Sequence, residues 1–211
     1  MSFQEDLNLG ISPIKQKVSQ VLQFLMNYLK NPVEAMKRLP DWDWPTLLVL
    51  NSACAAASGA LSGIISLKLQ VFIAGLIFFP VTSTVGVLIL TAFFHYTFLF
   101  FFHKELNFKT LFTIVVLALL PFFALMTLSG LIPPISIVGF AASSILFIVG
   151  FREYSKIETK VIARIVGGLY LAFILMWIIN MIASQTETKK YKELATPDSY
   201  QMLNNEFKKE D

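Results

Sequence analysis

Four polar side chains stand inside otherwise apolar segments of this chain: Asn51, Ser52, His95 and Asn180. A carboxamide or imidazole surrounded by hydrocarbon is a functional hypothesis by default, because it must find a hydrogen-bonding partner there. Together the four could line a polar pathway. Taken singly, they are interhelical hydrogen bonds worth about 0.6 kcal/mol each, with His95 a neutral imidazole bonded to a neighbouring helix. No carboxylate accompanies them within an apolar segment, so proton- or sodium-coupled transport lacks its usual acidic relay.

Catalytic and metal chemistry find little support. Ala56-Ala57-Ser58-Gly59 approaches the Gly-x-Ser-Gly of intramembrane serine proteases, with Ala56 in place of the first glycine and His95 as the conceivable base. Close helix packing explains Ser58 better. His95 and His103 lie about two helical turns apart, but no further metal ligand stands with them inside a span. The lone Cys54 excludes an intramolecular disulfide and reads as a buried, inert thiol. The sequence therefore calls for no metal, no cofactor and no enzymatic activity.

The elements that would position these residues follow from where charge is missing. Between Trp44 and Phe102 the only formal charge is Lys68, and from Thr110 to Phe151 there is none. Only 15% of the chain is charged and 55% is hydrophobic, which places it among polytopic membrane proteins. The expected architecture is all-α: a cytoplasmic amphipathic region over 1–40, a five-span domain over 41–185 and a polar tail over 186–211. The spans are expected at about 46–65, 82–102, 110–128, 135–151 and 161–183. The first is rich in small residues. Ser58, Gly59, Ser62 and Gly63 form a packing face that should draw this helix inside the bundle, within the chain or against a second copy.

Leu69 to Phe102 is harder to place. As one straight helix it would be about 51 Å long, against a hydrocarbon core of about 30 Å. Pro80 is expected to break it, leaving 69–79 as an interfacial or re-entrant helix ahead of the span, with a separate crossing by 69–79, which would put both chain ends inside, as the alternative. Pro121 is expected to kink the third span near its middle.

Ahead of the spans, residues 1–11 read as a polar lead and Ser12-Pro13 as a helix start. Ile14, Val18, Val21, Leu22, Leu25 and Leu29 then repeat at helical spacing opposite a basic, acid-free polar face. Such a helix can lie on an anionic leaflet or pack on its own bundle. Asn31-Pro32-Val33-Glu34 caps a second short helix, and Trp42 and Trp44 fit an interfacial aromatic belt. Basic residues concentrate on one side of the expected spans, with Lys68 alone between spans on the other. This places the N-terminus in the cytoplasm and the C-terminus outside.

The order of these features resembles the YIP-domain family of Ypt/Rab-interacting membrane proteins. The likeness runs from Asn31-Pro32 and Leu39-Pro40 through Leu106-Asn107-Phe108-Lys109 and Ala118-Leu119-Leu120-Pro121 to Ile148-Val149-Gly150-Phe151-Arg152, over about residues 30–185. It implies a five-span helical bundle with a cytoplasmic N-terminus. The family's eukaryotic members are tied to Rab GTPases, but no Asp-Leu-Tyr-Gly-Pro segment precedes the first span here. That departure favours a prokaryotic-type member in the bacterial inner membrane, with an ER or Golgi membrane as the alternative. The expected function is non-enzymatic: organising membrane lipid or recruiting a protein partner at the cytoplasmic face. The alternative is a small transporter, channel or lipid-translocating protein. Expected partners are membrane lipids, a cytoplasmic-face protein and a second copy of the chain, with no nucleic acid.

Overall fold

The computed structural model describes the backbone of residues 3–132 and 134–194, and the side chains within 15–132 and 134–183. Every regular element among the described residues is a helix: α1 Phe3–Lys30, α2 Pro32–Lys37, α3 Trp44–Ile65, α4 Leu69–Phe102, α5 Phe108–Ala118, α6 Leu120–Met126, α7 Ile135–Ser155 and α8 Thr159–Leu194. Five helical stretches are long and apolar enough to cross a membrane: Trp44–Ile65, Leu69–Phe102, Phe108–Met126, Ile135–Ser155 and Thr159–Ala183. The chain divides into two compact units, Met1–Val166 and Gly167–Asp211. The described part of the second is the continuation of α8.

Within the first unit the core forms around α5, where every residue from Leu111 to Leu119 is buried. Beside it, Phe94 and Phe98 of α4 interlock with Phe147 and Phe151 of α7, the Phe94 and Phe151 rings being 4.3 Å apart. The small-residue helix α3 is not the enclosed one. It buries one face, including Leu47, Asn51, Ser58, Gly59 and Gly63, and leaves Val49, Leu61 and Ile64 exposed.

The glycines of that face pack inside the chain, on α4. The two glycines Gly59 and Gly75 meet backbone to backbone, and Gly63 meets the Phe72 backbone. Farther back along the pair, Asn51 reaches Thr84. This antiparallel register corrects the expectation for 69–79. Those residues are neither a separate interfacial helix nor a re-entrant one, but the first third of a 34-residue α4 lying alongside α3. The break expected at Pro80 does not occur. Packing on α3 holds the segment, and breaking it there would strand backbone groups in hydrocarbon. The hydroxyls of Thr82 and Thr84 bond back to the Phe78, Phe79 and Pro80 carbonyls around the proline.

Two further boundaries differ from expectation. Helix α1 begins at Phe3 rather than after Ser12 and runs through Pro13. Gln, Glu and Leu in its first turns favour helix, and a proline's fixed φ is compatible with it. At the other end, α8 carries helix through 186–194 of the expected tail; residues 195–211 lie outside the described residues.

Asp41-Trp42-Asp43-Trp44 ties the first unit together at one end. Asp43 pairs with Lys17 of α1 at 2.9 Å and Asp41 with Lys109 of α5 at 2.7 Å. The tryptophans take the same two helices, Trp42 against Phe24 and Trp44 against Phe108 and Phe112. Asp43 also caps α3, accepting from the Thr46 amide and hydroxyl. The Thr46 hydroxyl bond, followed by the Lys17 bond, holds its carboxyl down at about 2. Because that value is depressed, the cap and pair are complete above the ordinary carboxylate value near ~4 and are lost only as pH falls through about 2. An NMR titration of the Asp43 carboxyl should show that midpoint, and Lys17→Ala should move it upward.

Candidate functional site

Asn51 and Ser52 come together on one residue that the sequence did not single out as a site, Thr84. Asn51 is fully buried and its Nδ2 donates to Thr84 Oγ1 at 3.1 Å, while Ser52 Oγ lies 3.3 Å from the same atom. Thr84 Oγ1 in turn donates to the Pro80 carbonyl at 2.8 Å. A hydroxyl four residues after a helix proline was the available signal, since such residues commonly bond back one turn. Asn51 Oδ1 is buried with no partner among the described residues.

His95 stands apart from this cluster. It lies 11 residues beyond Thr84 on α4, about 16 Å along the axis. Its ring is 5.6 Å from that of Phe108 and 5.5 Å from that of Tyr96, and its buried Nδ1 has no partner among the described residues. It opens on a hollow of about 510 Å³ shared with Glu105, Asn107 and Phe108. Asn180 belongs to the second unit, where its Nδ2 donates to Met176 O of its own helix at 3.0 Å. Within the first unit, then, the candidate polar residues form two sites rather than one.

Ser58 is committed elsewhere. Its buried hydroxyl donates to the Phe123 carbonyl at 2.7 Å, so it bridges α3 to α6 and is not paired with a base. Gly59 and Gly63 serve the α3–α4 contact, and Ser62 is buried on the same helix with its carbonyl near Gly130.

The most distinctive arrangement lies at Pro121. The helix of the third span is interrupted at Leu119, between α5 and α6. Having no N–H, Pro121 cannot donate to the carbonyl four residues earlier, that of Leu117. Tyr28 of α1 supplies the missing donor: its buried hydroxyl bonds to Leu117 O at 2.8 Å. Burial pushes the phenol well above its ordinary value, so it remains a donor. The signal in the sequence was a lone phenol within an amphipathic helix.

Tyr28 also divides the apolar surface of α1. Val21, Phe24, Leu25 and Tyr28 turn at least partly inward, whereas Val18, Leu22, Met26 and Leu29 form a row in which each residue is more than half exposed. Lys15, Ser19, Gln23, Asn27 and Lys30 border that row and are exposed as well. Helix α2 returns the chain from the tip. Asn31 caps it by accepting from the Glu34 amide, Met36 is fully buried near Gly150 and Ile114, and the Tyr154 hydroxyl meets the backbone at Leu39 and Lys37. The basic residues Lys17, Lys37 and Lys109 are thereby gathered at one end of the first unit. Lys68 lies at the other, in the turn between α3 and α4.

Comparison with known proteins adds one finding: a family model for the Yip1 domain matches residues 26–181. No curated protein and no solved structure matches the chain.

Proposed function

This chain belongs to the Yip1 domain family, and we propose that it is a non-enzymatic integral membrane protein that organises lipid in the leaflet occupied by its N-terminal helix. The observation that carries this is the exposed row Val18, Leu22, Met26 and Leu29. It lies on a helix whose opposite side is pinned to the third span through Tyr28. A fully buried side chain of this type gains about 1.5–3 kcal/mol. The row therefore inserts among acyl chains while the basic residues beside it meet anionic headgroups. Charge asymmetry supports a cytoplasmic position for the Lys17 end of this helix, where Lys15 and Lys17 can also receive an acidic protein partner.

The test is vesicle shape. Full-length protein in vesicles containing phosphatidylglycerol should shift their diameter in electron micrographs. Replacing Val18, Leu22 and Met26 together with serine should abolish the shift without loss of insertion. Undiminished remodelling by the triple variant would overturn the role. One observation favours a second reading, a transporter or lipid-translocating protein: the unpartnered Asn51 Oδ1 beside Pro80. The same vesicles loaded with lipid and solute reporters separate the two, since Asn51→Leu abolishes flux if a pathway runs there and leaves remodelling intact.

A further inference from the structure

The contact between Tyr28 and Leu117 fixes how far the N-terminal hairpin reaches. Leu117 is the middle residue of the span Phe108–Met126, so Tyr28 stands level with the centre of that span. Lys30 follows two residues later, about 3 Å farther along the helix axis. It is exposed and has no carboxylate partner among the described residues. Glu34, the acid nearest in sequence, is taken by Lys37 and Arg38. An ammonium at this depth is unfavourable unless an anion or water comes to it.

A groove of about 440 Å³ starts at the same place. Leu25, Leu29, Ala57, Leu61, Phe123 and Ala124 are among its walls. It continues from the hairpin tip along the second half of α3 and along α6. Two helix carbonyls in this region could have made it polar, those of Leu117 and Phe123. Tyr28 and Ser58 cap both. What remains is an apolar channel at the depth of hydrocarbon, with one unpaired cation in the sequence beside its wall residue Leu29.

We propose that this groove holds an acyl chain of an anionic phospholipid whose phosphate is drawn down to Lys30. The tail matches the apolar walls, and the phosphate meets the ammonium that the protein leaves unpaired. The headgroup then sits well below its neighbours in the leaflet, and the leaflet thins against α1. This deepens the lipid-organising role proposed above and rests on it, but it is read out separately.

The experiment uses full-length protein reconstituted in vesicles of phosphatidylglycerol and phosphatidylcholine in equal parts, extracted in mild detergent, with the retained lipid counted by native mass spectrometry. The wild type should retain phosphatidylglycerol over phosphatidylcholine by about fivefold, the scale of one lysine–headgroup attraction. Lys30→Gln should bring that ratio to about one. Ala57→Trp, which fills the groove from α3, should lower retention of both lipids. Ala124→Leu fills it from α6 and decides the matter should the tryptophan variant fail to fold. An unchanged ratio in Lys30→Gln, or wild-type retention in Ala124→Leu, would overturn the proposal. Ala124→Leu touches neither the Val18–Leu22–Met26 row nor the basic residues beside it. Vesicle remodelling that persists where retention is lost therefore separates the two roles.

Discussion

Gly59→Leu should yield no folded protein. A Cβ placed at Gly59 would lie 2.6 Å from Gly75 Cα and 2.7 Å from the Gly75 carbonyl oxygen. Both obstacles are backbone, so no rotamer change relieves the clash. Reciprocally, a Cβ on Gly75 runs into the backbone of Gly59. Helices α3 and α4 would have to separate, opening the part-buried Asn51–Thr84 hydrogen bond along with the small-residue face. Overpacking of this severity belongs to the tail of mutational effects, above about 4 kcal/mol. Size-exclusion chromatography in detergent should show aggregate or no recoverable monomer. Gly86 is the control. It lies on the same helix α4, but a Cβ there meets nothing within 4 Å. Gly86→Ala should leave elution unchanged and raise stability by about 0.5–1 kcal/mol, the helix preference of alanine over glycine.

Tyr28→Phe should cost about 1–3 kcal/mol, the penalty for a buried carbonyl left without its donor. The phenylalanine keeps the ring contact with Phe24 and removes only the hydroxyl. The effect should depend on Pro121, because the proline is what deprives Leu117 of a helical donor. In a Pro121→Ala background the backbone amide returns, and the Tyr28→Phe penalty should shrink. Thermal unfolding in micelles, followed by tryptophan fluorescence over this double-mutant cycle, measures the coupling. The bond should hold across neutral and moderately alkaline pH. Burial raises the phenol value, so the donor is present throughout the range below the ordinary value near ~10 and fails only as pH rises through the higher folded value.

Charge and hydropathy made the spans legible because lipid penalises every unpaired ion in them. The apolar helices Phe108–Met126 and Ile135–Ser155 lie over the second uncharged block. Local chemistry also read true at Asn31, whose cap on α2 is set within four residues. The second span was misjudged at Pro80 because proline acts locally, whereas α4 is held by Gly59 meeting Gly75 sixteen residues away in sequence. The polar residues show the same limit. That Asn51 and Ser52 share a helix turn is visible in the sequence; that both find Thr84 depends on the α3–α4 register. Trp42 and Trp44 read as an interfacial belt, but the alternation with Asp41 and Asp43 also lets one short segment hold α1 and α5 by both charge and ring contact. Tyr28 was the least legible, since its role comes from an amide that another helix lacks.

Helix α4 outruns the helix it packs on. It passes the Trp44 end of α3 by more than two turns, and Phe100 and Phe101 stand bare near its end. This makes the protein a gauge of its host membrane. Hydrophobic mismatch costs a fraction of a kcal/mol per ångström, so a thin bilayer forces tilt or leaves these rings wet, and a thicker one relieves both. In a cell with membranes of unequal thickness, that preference alone would sort the protein toward the thicker domains, without any targeting signal.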